Sequence, residues 1–224
     1  MSRFQVRKVA VLGAGVMGAQ IAAHLVNVKV PVVLFDLPAK EGPKNGIVTR
    51  AIENLKKLKP APLGVVDDAG LIGQANYEEH LEQLRDCDLI IEAIAERMDW
   101  KKDLYDKIEN HVAPHAILAS NTSGLSINGL AEVLPESLHS RFCGVHFFNP
   151  PRYMHLAELI PCAKTDREVL EGLETFLVTT LGKGVVYAKD TPNFIGNRIG
   201  VFSILATAHH TGEFKLGFDE VDAI

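Results

Sequence analysis

Gly13-Ala14-Gly15-Val16-Met17-Gly18 places three glycines at fixed offsets. Such a run does chemistry only where a strand leads into it and a helix leaves it. The first glycine then permits a tight turn, the second lets the backbone approach a pyrophosphate, and the third lets the helix pack close to the strand. Amides at the helix start meet the phosphate charge. Residues 9–12 are apolar and residues 16–28 carry apolar side chains at helical spacing, so the required context is present. A second β-branched run, 32–35, ends at Asp36. A carboxylate there can accept from ribose hydroxyls and would repel a 2′-phosphate. Arg50 is the first arginine after it, so NAD is expected rather than NADP. Taken alone, Asp36 reads better as an ordinary turn residue before Pro38.

The elements that must position this turn alternate along the chain. Helices are expected at 41–59, stopped by Pro60 and Pro62, and at 77–84, 99–111 and 166–181. Strands are expected at 71–75, 89–93, 117–120, 142–148, 155–160 and 185–188. This order implies an α/β chain with a Rossmann-type, doubly wound, mostly parallel sheet covered on both faces. The pattern changes after about residue 190: 194–208 reads as a long apolar helix and 219–224 as the opening of another. The division expected is a dinucleotide-binding domain over 1–190 and, over 191–224, the truncated start of an all-α C-terminal domain.

Composition narrows the classes of function. Hydrophobic residues make up 47% of 224 and charged residues 23%, which suits a buried core rather than disorder. A net charge of -5 offers no basic surface for nucleic acid, so none is expected as a partner. No apolar run reaches the roughly 18 to 20 residues that span a bilayer, and residues 1–8 lack a signal peptide's apolar stretch. No membrane association is expected, and the cytoplasm is the expected location. Cys87, Cys143 and Cys162 lie in no metal-binding spacing, and their odd number favours reduced thiols. No metal is expected.

Four further stretches carry a resemblance. They are Glu92-Ala93-Ile94-Ala95-Glu96, Ser120-Asn121-Thr122-Ser123, His146-Phe147-Phe148-Asn149-Pro150, and Asp190-Thr191-Pro192-Asn193-Phe194-Ile195-Gly196-Asn197-Arg198. In this order and spacing they resemble the signature blocks of the 3-hydroxyacyl-CoA dehydrogenases of fatty-acid β-oxidation, and the resemblance covers essentially the whole chain. It implies NAD-dependent oxidation of an (S)-3-hydroxyacyl-CoA to the 3-oxoacyl-CoA. It also implies roles: His146 as the catalytic histidine, Glu158 as its acidic partner, and Ser123, Asn149 and Asn197 around the reacting end of the substrate and the nicotinamide. Glu96 and Lys101 would lie along the cofactor or coenzyme A path.

Elementary chemistry agrees with these implications. Oxidising a secondary alcohol removes the hydroxyl proton as hydride leaves carbon, and an imidazole suits that proton near neutral pH. A carboxylate can hold the ring in one tautomer and stabilise the imidazolium. Antiparallel pairing of the strands bearing His146 and Glu158 would bring the two together. Ser123 and Asn149 could face developing charge or serve ordinary turns, and Asn197 could be a cap or packing residue. Lys56 and Lys59 could receive coenzyme A phosphates or form a solvated helix face. The resemblance further implies a homodimer when the polypeptide is complete and leaves room for a hydratase domain elsewhere in a multifunctional protein. Two alternatives remain: a relative acting on a free hydroxy acid, and a non-catalytic NAD-binding module, against which the joint presence of His146 and Glu158 argues.

Overall fold

In the computed structural model, residues 5–223 are described. β1 (Val9–Leu12), α1 (Val16–Asn27) and β2 (Val32–Asp36) form the first βαβ unit. α2 (Gly46–Leu55) leads to β3 (Ile72–Asn76), then come β4 (Leu89–Glu92), α3 (Met98–Ile108) and β5 (Ile117–Ser120). α4 (Ile127–Val133) precedes β6 (Phe142–Phe147), β7 (Leu156–Pro161), α5 (Arg167–Thr179) and β8 (Gly184–Tyr187). α6 (Gly196–Phe214) and α7 (Phe218–Asp222) follow.

The eight strands make one sheet in the order β3-β2-β1-β4-β5-β6-β7-β8. Every pairing is parallel except β6 with β7. The chain leaves β1 in one direction and returns to β4 in the other, so the crevice for a ligand opens at the carboxyl ends of these two strands. Alternation along the strands divides the core. Val9 and Val11 pack with α1, α2 and α5 on one face. Ala10 and Leu12 pack with α3 and α4 on the other. Both faces being covered, β1 and β4 can be apolar at every position.

Several boundaries differ from those expected. The helix expected over 41–59 begins only at Gly46, because Gly42 takes φ +76° and Pro43 offers no N–H, so 41–45 fold as turns. It ends at Leu55, leaving Lys56 to Lys59 outside. The helix expected over 77–84 is a turn followed by a 3-10 segment, Leu81–Asp86. There Asn76 Oδ1 accepts from the backbone N–H of Glu78 and Glu79, at 3.0 and 2.9 Å, and closes the turn in place of a helix. α4 was not expected. Its sign in the sequence is Ser126, whose hydroxyl caps it by accepting from Gly129 N at 3.0 Å. α6 runs six residues past the expected 208 because nothing interrupts it before Lys215, which closes it in the left-handed region at φ +56°. Ile224, the last residue of the helix expected over 219–224, lies outside the described residues.

His24 fastens α1 to the end of α5. The side chain is 8% exposed, and one ring nitrogen, Nε2, lies 3.1 Å from Leu181 O. Burial, with the nearby Lys183 ammonium adding to it, lowers its pKa from 6.5 to about 4. The folded protein therefore holds it neutral at pH values where the unfolded chain protonates it. Below pH 6.5 the unfolded state binds more protons, so stability is lost as pH falls from 6.5 toward about 4. Urea unfolding should show a loss from this residue of about 2 kcal/mol between pH 7 and pH 5, and His24→Gln should lack that part of the loss.

Candidate functional site

The glycine turn is built so that two of its glycines are filled by protein and one is not. Gly13 sits at φ +106°, and a Cβ there would lie 2.7 Å from Ala93 O. A Cβ on Gly18 would lie 1.9 Å from Gly13 O. At Gly15 the added atom meets nothing within 4 Å. Gly15 is also the N-cap of α1 and supplies no side-chain cap, so the first amides of the helix are free to bind an anion. Val16 is 68% exposed at this end, while Met17 packs against the core. Asp36 closes the turn from β2: Oδ2 accepts from Ala14 N at 2.6 Å and Oδ1 from Leu37 N at 2.7 Å.

Two cavities meet at Gly15. One, of about 450 Å³, runs from Gly13 and Asp36 past Tyr77 and Ile94 to Trp100 and Lys107. The other, of about 590 Å³, lies between Val16 and Gln20 of α1, Leu55 and Leu58, Lys59 and Pro60, and Asn149. The space at Gly15, the uncapped helix start and the Asp36 carboxylate fit a dinucleotide laid across the turn, with its adenosine ribose toward the first cavity.

The loops after β4 and β5 are fixed by two carboxylates. Glu92 is fully buried at the end of β4 and accepts from Lys101 Nζ at 2.5 Å, Ser120 Oγ at 2.7 Å, Ile94 N at 2.8 Å and Tyr105 OH at 3.1 Å. Burial, reinforced by the Glu92 charge, pushes the Tyr105 phenol well above its usual pKa, so it remains a donor. Lys101 is itself fully buried. Expected along a cofactor or coenzyme A path, it places its ammonium between α3 and the sheet, where Glu92 compensates its charge. Glu96, exposed on the rim, accepts from Thr122 Oγ1 at 2.6 Å and Ser123 N at 2.5 Å, tying the two loops together. Ser123 is half-buried there.

On the other side, the antiparallel register of β6 and β7 sets His146 opposite Glu158. Nδ1 of His146 lies 2.7 Å from Glu158 Oε2, and the residues are 3% and 0% exposed. The second carboxylate oxygen accepts from Ile195 N and Gly196 N, at 2.9 and 2.8 Å, where α6 begins. A carboxylate accepts from Nδ1–H, so in the neutral imidazole this contact selects the tautomer with the proton on Nδ1 and the lone pair on Nε2. Phe148 and Phe194 stand over the ring, with centroids 4.6 and 5.8 Å away. Asn197, half-buried, follows Gly196 directly. Asn149 is exposed two residues beyond β6 and reaches the second cavity.

Of the two expected lysines, Lys59 lines the second cavity, whereas Lys56 pairs with Glu53 at 2.7 Å. Two residues of the site were not anticipated. Gln20 is a polar residue on the buried side of α1, which was the available signal. Asp190 accepts from Ser126 Oγ, Ile127 N and Asn128 N and so pins the approach to α6 against α4. Burial alone would raise its pKa, but these hydrogen bonds outweigh it and hold the carboxyl below its usual range. Among the described residues one group could gather around a metal, His209, His210 and Glu213, all exposed on α6. Among the described residues no helix is long and apolar enough to cross a membrane.

Residues 8–191 match the profile of the family described as 3-hydroxyacyl-CoA dehydrogenase, NAD binding domain. The chain is 44% identical over 221 residues to a Deinococcus radiodurans protein named Probable 3-hydroxyacyl-CoA dehydrogenase, covering 98% of this chain and 64% of that one. It is 35% identical over 214 residues to a fatty acid oxidation complex subunit alpha of Acinetobacter baumannii, covering 89% of this chain and 28% of that one. The chain thus spans less than two thirds of the length of these curated relatives. The solved (S)-3-hydroxybutyryl-CoA dehydrogenase of Ralstonia eutropha superposes with a TM-score of 0.79 at 31% identity, over 96% of this chain and 75% of that one.

The unequal glycines give a clean test. Gly15→Ala should leave the melting temperature unchanged and abolish NADH binding measured by fluorescence titration, because its Cβ occupies ligand space only. Gly18→Ala should lower stability by about 1–3 kcal/mol or more, because its Cβ overlaps the turn itself. The lysines separate likewise. Lys101→Met should cost about 3 kcal/mol in urea unfolding by leaving Glu92 buried without its counter-charge, whereas Lys56→Ala should change stability by no more than about 0.5 kcal/mol.

Proposed function

The chain belongs to the 3-hydroxyacyl-CoA dehydrogenase family as its NAD-binding domain, and from that premise we propose that the whole protein oxidises (S)-3-hydroxyacyl-CoA to 3-oxoacyl-CoA. The observation that carries the reading is the buried contact of His146 Nδ1 with Glu158, 2.7 Å long, between β6 and β7 of the same sheet whose β1 and β4 frame the dinucleotide crevice. Bound NAD+ supplies the hydride acceptor.

His146 Nε2, with its lone pair available, takes the proton of the substrate hydroxyl as the C–H bond breaks. The imidazolium that forms is stabilised by Glu158, whose other oxygen is held by the Ile195 and Gly196 amides and therefore stays in line. Ser123, Asn149 and Asn197 supply polar groups around the reacting carbon and the nicotinamide. Glu96 fixes the loop that carries Ser123. Gly13 to Gly18 hold the pyrophosphate and Asp36 the ribose. Lys59, beside the second cavity, offers charge to a coenzyme A phosphate.

The reading extends to partners. α6 exposes Ile199, Phe202, Ile204, Leu205 and Phe214, each more than 60% accessible. So much apolar surface on one helix favours cover by a helical domain that begins near residue 191, and by a second copy of the chain. The relative from a fatty acid oxidation complex favours a hydratase domain elsewhere in the polypeptide. Three buried free thiols suit a reducing, cytoplasmic setting.

The test is the oxidation of NADH by the intact protein with acetoacetyl-CoA, followed at the NADH absorbance band, with free acetoacetate as the comparison substrate. His146→Ala should lower kcat by about 10²–10⁴-fold while NADH binding stays within about twofold. Normal turnover in this variant would remove the histidine from the mechanism, and preference for the free acid would remove the thioester.

A further inference from the structure

Gln20 lies on α1 and is 6% exposed. It lines the second cavity together with Asn149. Its Nε2 sits 3.2 Å from Val16 O and 3.0 Å from Asn149 Oδ1. A backbone carbonyl can only accept a hydrogen bond, so the Gln20 atom facing Val16 must be the amide nitrogen. An amide nitrogen can only donate, so the Asn149 atom that meets it must be the carbonyl oxygen. Turning the Asn149 amide over would set two NH2 groups face to face. The orientation of Asn149 is thereby fixed by chemistry, in a relay that starts at the first turn of the helix leaving the glycine turn.

The main chain around Asn149 is held as well. Lys183, itself buried, donates from Nζ to Pro151 O and to Met154 O. Arg152 Nη1 donates to Ala61 O and Leu63 O at 2.8 and 2.7 Å. With β6 ending at Phe147 before it and these anchors at residues 151–154 after it, Asn149 is held at its main chain, and Gln20 fixes which way its side-chain amide faces.

We propose that Gln20 is a positioning residue that holds Asn149 Nδ2 as a donor toward the second cavity, where it meets a substrate oxygen that carries or develops negative charge. A thioester carbonyl or the C3 oxygen of an acyl-CoA is such an atom. Which of these it is rests on the function proposed above; the direction of the donor does not.

Two variants separate this from a packing role. Gln20→Glu keeps the shape and replaces the donor by an acceptor, so Asn149 must turn its NH2 toward residue 20 and away from the cavity. Gln20→Met keeps the volume and leaves the Asn149 amide free to turn either way. In the intact protein labelled with nitrogen-15 at asparagine side chains, the Asn149 NH2 signals, assigned by their loss in Asn149→Ala, should exchange quickly with water. In Gln20→Glu they should exchange about tenfold more slowly or less readily still. With acetoacetyl-CoA and NADH, kcat should fall about tenfold or more in Gln20→Glu and no more than about threefold in Gln20→Met, with NADH binding unchanged. Unaltered exchange in Gln20→Glu, or equal losses of kcat in both variants that follow their melting temperatures, would overturn the proposal. A wild-type protein that ignores acetoacetyl-CoA would sink the proposed function, while the exchange measurement would still decide the role of Gln20.

Discussion

One carboxylate joins the two halves of the chemistry. Glu158 faces His146 through one oxygen and the first amides of α6 through the other. Both contacts follow from register: β6 and β7 run antiparallel and pair residue 146 with residue 158. A shift of one residue would turn every side chain on β7 to the opposite face and set the carboxylate against the other layer. The one antiparallel pairing, at which the direction of β7 and β8 reverses, is therefore what sets the imidazole against a carboxylate. It also ties the orientation of the ring to the helix that leads out of the sheet domain, since α6 cannot move at its start without disturbing Glu158.

The same device recurs around the sheet. Asp36, Glu96 and Asp190 each accept backbone N–H groups from loops that approach from elsewhere in the chain, and Glu92 accepts one from its own loop. A loop carries amide groups that its own residues cannot satisfy, and a carboxylate can take several of them at once. The acidic balance of the chain is thus partly structural here, where anions are spent on the protein's own amides. The start of α1 has no such carboxylate and no side-chain cap, and it is there that an anionic ligand finds free donors.

The parts of this arrangement legible in the sequence are those with a local cause. Val9 to Leu12 followed by glycines marks a strand and a turn without reference to anything distant, and the run 32–35 ending at Asp36 does the same. Boundaries went astray where a side chain competes with the backbone: Asn76 closes a turn in place of a helix, and Pro43 delays α2. The burial of Lys101 was not legible for a related reason. On a helical wheel it is one charged residue among several, and only the packing of α3 on the sheet decides that its ammonium meets Glu92 rather than solvent. The resemblance could name the block that contains Glu92 but not the burial that governs it.

Gln20 shows the limit most clearly. Apart from His24, its neighbours on the buried side of α1 are glycine or apolar, and by composition it is a mild defect in that face. Its meaning comes from Asn149, which is 129 residues away and arrives by way of five further strands of the sheet. Hydrogen-bond polarity has no periodicity for a sequence to display; it is settled only when a group that can do nothing but accept, here the carbonyl of Val16, fixes the donor beside it. Once the fold supplies that fixed point, the identity of each atom along the relay follows, and a glutamine on a largely apolar face becomes the residue that orients the Asn149 amide.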